Sequence, residues 1–406
     1  MKPFCSNAWT GMTLAVGLAA LWRPEPAVAQ RIVLPVKLPE LESRAKEDST
    51  DPAAHYNLAL GYWSAKRYDE AEEQLHATIA IEQRFAAAHL ALAYLPYARR
   101  PKLFHEYWND EVPEDWKPKI EQSDHEYRQA FLIDPLVDLR IMGAVEPASA
   151  DFVSINETFG EEWALYIQGY QDCEEGKYND CNGRFASFIK AIDGDKYSDR
   201  VPDSVLWFKG LAAAHVGKYD DSINHFRMLI SRDDERQKKR EKSGEDQALS
   251  LRTNEYRYTL AAIYQAAGRN VDAIPLYREA LTNDIGLYMA HVQLANMAEA
   301  IRDYNTAIAE RRHAVDANPD DPSLLTDLGV TLGKAGQMEE AVSTLERAAD
   351  ANPRDVRPLF WLGIGYSQVN RTADARTAFT HFIAAAPKRY AAQVTKAKDQ
   401  LAQLPQ

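Results

Sequence analysis

Ten histidines are the first place to look for chemistry, because imidazole binds metals and moves protons near neutral pH. None stands in an HExxH pattern, and no two share one helical face at a metal-binding spacing. His105 and His125 each open a His-Glu-Tyr triplet. The densest set of candidate ligands is His105, Glu106, Asp110, Glu111, Glu114 and Asp115, all in segment 99–117. Their spacing matches no diagnostic ligand set, and Trp108 and Trp116 beside them suit a charged surface loop held by a hydrophobic anchor. The chain has no GxSxG, no phosphate loop and no dinucleotide fingerprint. These residues predict a protein without catalysis, bound metal or cofactor.

Charge narrows the partners. There are 47 basic against 60 acidic residues, a net charge of −13, whereas a nucleic-acid partner wants a basic face. No apolar run after the first 29 residues approaches the ~20 residues of a membrane span. At 406 residues the chain exceeds what a single compact core holds comfortably.

Repetition resolves the size. Segment 322–353, PSLLTDLGVTLGKAGQMEEAVSTLERAADANP, reads as two helices around a tight turn. Leu325, Leu328 and Leu332 share one helical face, Gly336 breaks the helix, and Ala341, Leu345 and Ala348 make the second face. Gly329 and Ala341 are small enough to let the two helices approach, and the pair recurs at shifts of 34 as Ala261/Ala273, Ala295/Ala307 and Gly363/Ala375. A helix-turn-helix of this period resembles the tetratricopeptide repeat. The best match to that motif is Leu359, Leu362, Gly363, Tyr366, Ala375, Phe379 and Pro387, departing at Leu359, where the family often has Trp. The resemblance spans about residues 52–387 and implies an all-α, TPR-type right-handed superhelical solenoid with a C-terminal capping helix.

In chain order, residues 1–29 read as a signal peptide: Lys2, the apolar run Met12–Trp22, then Ala27-Val28-Ala29 as cleavage site. Residues 30–51 form a lead-in, and 52–136 two repeats interrupted by an insertion at 99–117. A linker follows at 137–160, two divergent repeats at 161–232, a charged linker at 233–253, four regular repeats at 254–388 and the cap at 389–406.

The resemblance also implies a use. First helices of such repeats line the concave groove, and in the earlier units they carry Tyr56, Trp63, Tyr94, Tyr97, Tyr166, Tyr170, Trp207 and Tyr258. Rigid rings with polar tips make good binding surface. The later units carry Asn296, Thr326 and Val330, with Phe360 the exception, so recognition is expected toward the N-terminal half. The Lys and Asn residues with which some family members hold a terminal carboxylate are missing there. The expected function is an exported, non-catalytic scaffold that binds a protein partner or assembles a cell-envelope complex; the alternative is a glycan or cell-wall binding module using the same rings. The expected location is periplasmic or secreted after cleavage at Ala29, or membrane-anchored if the N-terminus stays uncleaved. Export invites a disulfide between Cys173, near the end of a first helix, and Cys181, near the start of the next.

Overall fold

The computed structural model describes residues 36–108, 111–143, 161–192, 201–243, 251–284 and 286–405. The signal segment 1–29, the first residues of the lead-in and residues 144–160 of the linker lie outside the described residues. All regular structure among the described residues is helical.

A short helix α1 (Leu38–Glu47) precedes the first hairpin, α2 (Pro52–Ser64) and α3 (Tyr68–Ile81). The second hairpin is α4 (Ala86–Arg99) and α6 (Lys117–Ile133), with α5 (Leu103–Trp108) in the insertion between them. After α7 (Arg140–Gly143) come α8 (Glu161–Glu174) with α9 (Tyr178–Ile192), and α10 (Asp203–His215) with α11 (Tyr219–Ser243). The regular hairpins are α12 (Leu251–Ala266) with α13 (Asn270–Asn283), α14 (Tyr288–Ala300) with α15 (Tyr304–Ala317), α16 (Pro322–Lys334) with α17 (Met338–Ala351), and α18 (Arg357–Gln368) with α19 (Thr372–Ala385). A 3-10 turn (Lys388–Tyr390) leads into the final helix α20 (Ala391–Gln403).

Local chemistry accounts for the helix ends. Asp51 and Asp321 cap α2 and α16 by accepting from Ala53 N at 3.2 Å and Ser323 N at 2.9 Å, and proline sits in the first turn of both, where it costs no hydrogen bond. The turn of each regular hairpin uses one left-handed residue, at Gly268, Arg302, Gly336 and Asn370, a conformation that favours Gly and Asn. Close approach inside the hairpins needs a missing side chain: a Cβ on Gly363 would come within 2.5 Å of the Phe379 ring, and one on Gly329 within 2.6 Å of Leu345.

The insertion keeps the second hairpin in register. Ser123 Oγ donates to the Ala93 carbonyl at 2.5 Å, as Ser222 Oγ does to Gly210 at 2.7 Å in a hairpin without an insertion. The first part of the predicted linker is packed: Val137, Leu139 and Ile141 are buried, and the Tyr178 hydroxyl donates to Asp138 Oδ1 at 3.2 Å. The first half of the predicted charged linker is helix, since α11 runs on to Ser243. Its charges are engaged, Arg236 with Asp203 at 2.8 Å and Asp234 with Arg257 at 3.0 Å.

Two compact units result. One is His89–Asp284, and the other joins Leu34–Ala88 to Ile285–Gln406. In the second unit the edge of the first repeat sits against the loops between the last repeats. Thr50 Oγ1 donates to Ala385 O at 2.8 Å, Asn352 Nδ2 to Ala80 O at 3.0 Å, and Gln83 Nε2 to Asp320 O at 3.1 Å. Among the described residues no helix is long and apolar enough to cross a membrane.

Candidate functional site

The structure packs most of the predicted groove rings into core. Trp63, Tyr94, Tyr97, Tyr166, Tyr170 and Tyr258 are buried, while Tyr56 and Trp207 are half-buried. Each has aromatic company: Trp63 meets Tyr68 edge-on at 5.9 Å, Tyr170 meets Phe208 at 5.0 Å, and Trp207 lies between Phe226 and Tyr256. Tyr56 is 5.1 Å from Phe85, and the Tyr258 hydroxyl donates to Leu132 O at 2.6 Å. The physical reason is size. A ring that buries roughly 150–250 Å² fills the space between two helical layers, and these positions adjoin the next hairpin.

An open cavity of about 340 Å³ lies instead along the later first helices. Asn296 and Glu299 of α14, Thr326, Asp327, Val330 and Lys334 of α16, and Arg357, Phe360 and Trp361 of α18 line it. Phe360, the one ring expected in the later units, lines it together with Asn296, Thr326 and Val330. Arg311 reaches in from a second helix, and Tyr390 and Gln393 close the C-terminal end.

The cavity has an ionic floor and an aromatic wall. Arg311 is buried, donates to Asn296 Oδ1 at 2.6 Å, and lies 3.5 Å from both Glu299 and Asp327. Lys334 donates to Glu299 at 2.6 Å, and Thr331 Oγ1 also donates to it. Burial pushes the Glu299 carboxyl up, but those hydrogen bonds and the Arg311 charge outweigh it and hold the group below its ordinary range. Burial likewise works against the Asp327 carboxylate, and the Arg84 and Arg311 charges overcome it, leaving that carboxyl depressed too. Arg357 is clamped by Asp355 at 2.7 Å. Half-buried Trp361 spans two core clusters and packs against Phe360 at 5.4 Å. A site so built can hold one apolar or aromatic side chain beside a polar or charged one, which is the size of a peptide anchor.

The other predicted residues have structural employment. Cys173 and Cys181 are both buried, face each other across the α8–α9 hairpin with Cα atoms 5.0 Å apart, and are joined as a disulfide. In the insertion, Glu106 pairs with Arg100 at 2.6 Å and Glu114 with Lys117 at 2.5 Å, while Lys119 sits 4.3 Å over the Trp116 ring. Asp110 and the side chain of His105 lie outside the described residues.

A family model of the tetratricopeptide repeat matches residues 285–356 and 326–390, and the same hairpins, turns and small-residue contacts recur upstream. Residues 285–390 are tetratricopeptide repeats. No curated protein sequence matches the chain. Its TPR hairpins are similar to those of the C-terminal part of a TPR repeat-containing protein from Cytophaga hutchinsonii, at 14% identity and TM-score 0.47 over 58% of this chain and 86% of that one. They are also similar to yeast Tom70, at 12% identity and TM-score 0.39 over 90% and 92%. A third similar structure, a chain of the APC/C hetero-tetramer Cut9–Hcn1, gives 11% identity and TM-score 0.37 over 90% and 80%.

Arg311 departs from the TPR register. It stands 34 and 68 residues before Leu345 and Phe379, the side chains that fill the space beside Gly329 and Gly363. A buried guanidinium at an apolar repeat position marks a break in the pattern, and the cavity is where the break lies.

Proposed function

We propose that this TPR protein is a non-catalytic scaffold that binds a segment of a partner protein in the groove of its later repeats. The observation that carries this reading is the cavity between Asn296 and Gln393, where the Arg311–Glu299–Lys334 ion cluster faces Phe360 and Trp361. Rigid aromatic walls and prepaired charges bind a ligand side chain with little ordering cost. The segment it suits carries an apolar or aromatic anchor next to a polar group. Selection of a phage-displayed random peptide library on the untagged protein tests the reading: the expected outcome is a consensus with such an anchor, and no enrichment over an unrelated helical protein overturns it.

Residues 1–29 have the layout of a cleaved signal, and two buried facing cysteines suit an oxidising compartment. We infer an exported scaffold serving a cell-envelope complex. N-terminal mass spectrometry of protein from the native source is expected to find Gln30 as the first residue; an intact residue 2–28 segment would convert the reading to a membrane-anchored scaffold.

A further inference from the structure

The α14–α15 hairpin brings together three side chains that no single helix supplies. His291 lies on the first helix, and Glu310 and His313 lie one turn apart on the second. One ligand atom from each falls within 4.8 Å of the other two. His291 Nδ1 and Glu310 Oε2 are already hydrogen-bonded at 2.6 Å, both half-buried with side-chain exposures of 17% and 16%. The His313 ring stands edge-on to His291 at 5.2 Å and is exposed.

The repeat register shows that these are not default residues. The positions of His291 carry Leu325 and Leu359 in the next two repeats, and those of Glu310 carry Thr344 and Ala378. A half-buried histidine and carboxylate therefore replace the residues that those repeats use to pack the same joint. From these observations we propose that His291, Glu310 and His313 form a site for a divalent transition-metal ion, with Zn2+ the fitting example. Two imidazoles and one carboxylate are a ligand set Zn2+ accepts at about 2.0–2.2 Å per ligand. Bringing three atoms from separations of up to 4.8 Å onto one ion needs sub-ångström shifts, which exposed His313 can supply. The ion takes the place of the His291–Glu310 hydrogen bond, with the neutral imidazole keeping its one proton on the ring nitrogen that does not bind the metal, and it ties the two helices together. A three-ligand set leaves a fourth position for water or for a donor from a bound partner.

The test uses the untagged full chain stripped with chelator and titrated with Zn2+ alone by calorimetry, beside His313→Ala and His291→Leu. The first variant removes an exposed ligand, and the second installs the leucine of the following repeats, so both keep the fold, which circular dichroism checks. The expected result is one Zn2+ per wild-type chain, weakened on the order of tenfold or more in each variant, as loss of even a supporting shell commonly costs. Wild-type protein that takes up no stoichiometric Zn2+, or variants that bind it as tightly as wild type, would overturn the site.

Discussion

Arg84 Nη2 donates to Asp327 Oδ2 at 2.6 Å across 243 residues of sequence. The bond joins the edge of the first repeat to the first helix of the seventh hairpin, and Asp327 continues through Arg311 to the floor of the groove. The first, sixth and seventh hairpins thus share one ionic cluster, with Asp321 3.6 Å from Arg84 as a further member.

Asp327→Asn is expected to destabilise the second unit by roughly 3 kcal/mol, because it removes the carboxylate shared by buried Arg311 and half-buried Arg84 and leaves each with one other acid, Glu299 and Asp321 respectively. Urea unfolding of wild type, Asp327→Asn, Arg84→Met and the double variant measures it. Coupling between the two sites is expected, and additive single losses would show that the bond contributes nothing of its own.

Acid should find the same cluster. Asp327 and Glu299 are both held below the ordinary carboxylate range, so the unfolded chain takes up protons first as pH falls through about 4. The stability they supply is complete above that pH and is lost as pH drops toward their folded values. Asp327→Asn is expected to flatten this slope, so its deficit against wild type narrows between pH 7 and pH 3. An equal deficit at both pH values would remove Asp327 from the acid response.

Two glycine substitutions of the same chemistry should act with opposite sign. Gly363→Ala drives a methyl to within 2.5 Å of Phe379 and is expected to cost about 1–3 kcal/mol by overpacking. Gly183→Ala, in α9 with nothing within 4 Å, is expected to stabilise by about 0.5–1 kcal/mol through helix propensity. Thermal melts of the two variants decide it, and a neutral Gly363→Ala would mean that the α18–α19 joint is looser than its geometry.

The disulfide across α8 and α9 closes a loop of sequence separation 8, for which chain entropy predicts about 2.5 kcal/mol. Thiol titration of denatured, unreduced protein that begins at Gln30 is expected to find no free thiol, and reduction to lower the melting temperature. Two titratable thiols per chain would make Cys173 and Cys181 a packed pair of small side chains instead.

The 34-residue spacing made the hairpins from α12 onward readable, because small residues and turn residues obey the fold at every repeat: Gly329 must admit Leu345, and Gly336 must turn left-handed. The groove was harder to read. Periodicity assigns a ring such as Trp63 or Tyr166 to a helical face, but not how deeply the next hairpin covers it. Closure of the first repeat onto the last ones was not legible from the period, since Arg84 and Thr50 are isolated polar residues between helices, and Asn352 repeats Asn318 without pointing to its partner Ala80. Departures from the repeat were the readable clue. Arg311 at a Leu/Phe position and His291 at a Leu position both mark places where the structure gathers polar groups.

Photo-crosslinking tests whether a partner segment binds along the later first helices. A benzophenone amino acid is placed at exposed Asn296 in the cavity, at half-buried Trp207 among the early rings, and at Val271, which is 85% exposed and outside the cavity lining. Each variant is irradiated with the peptide selected on the wild-type protein. Crosslinking is expected at position 296, with none above background at 207 or 271. Crosslinking at 207 without 296 would contradict binding along the later helices and return recognition to the early aromatic repeats.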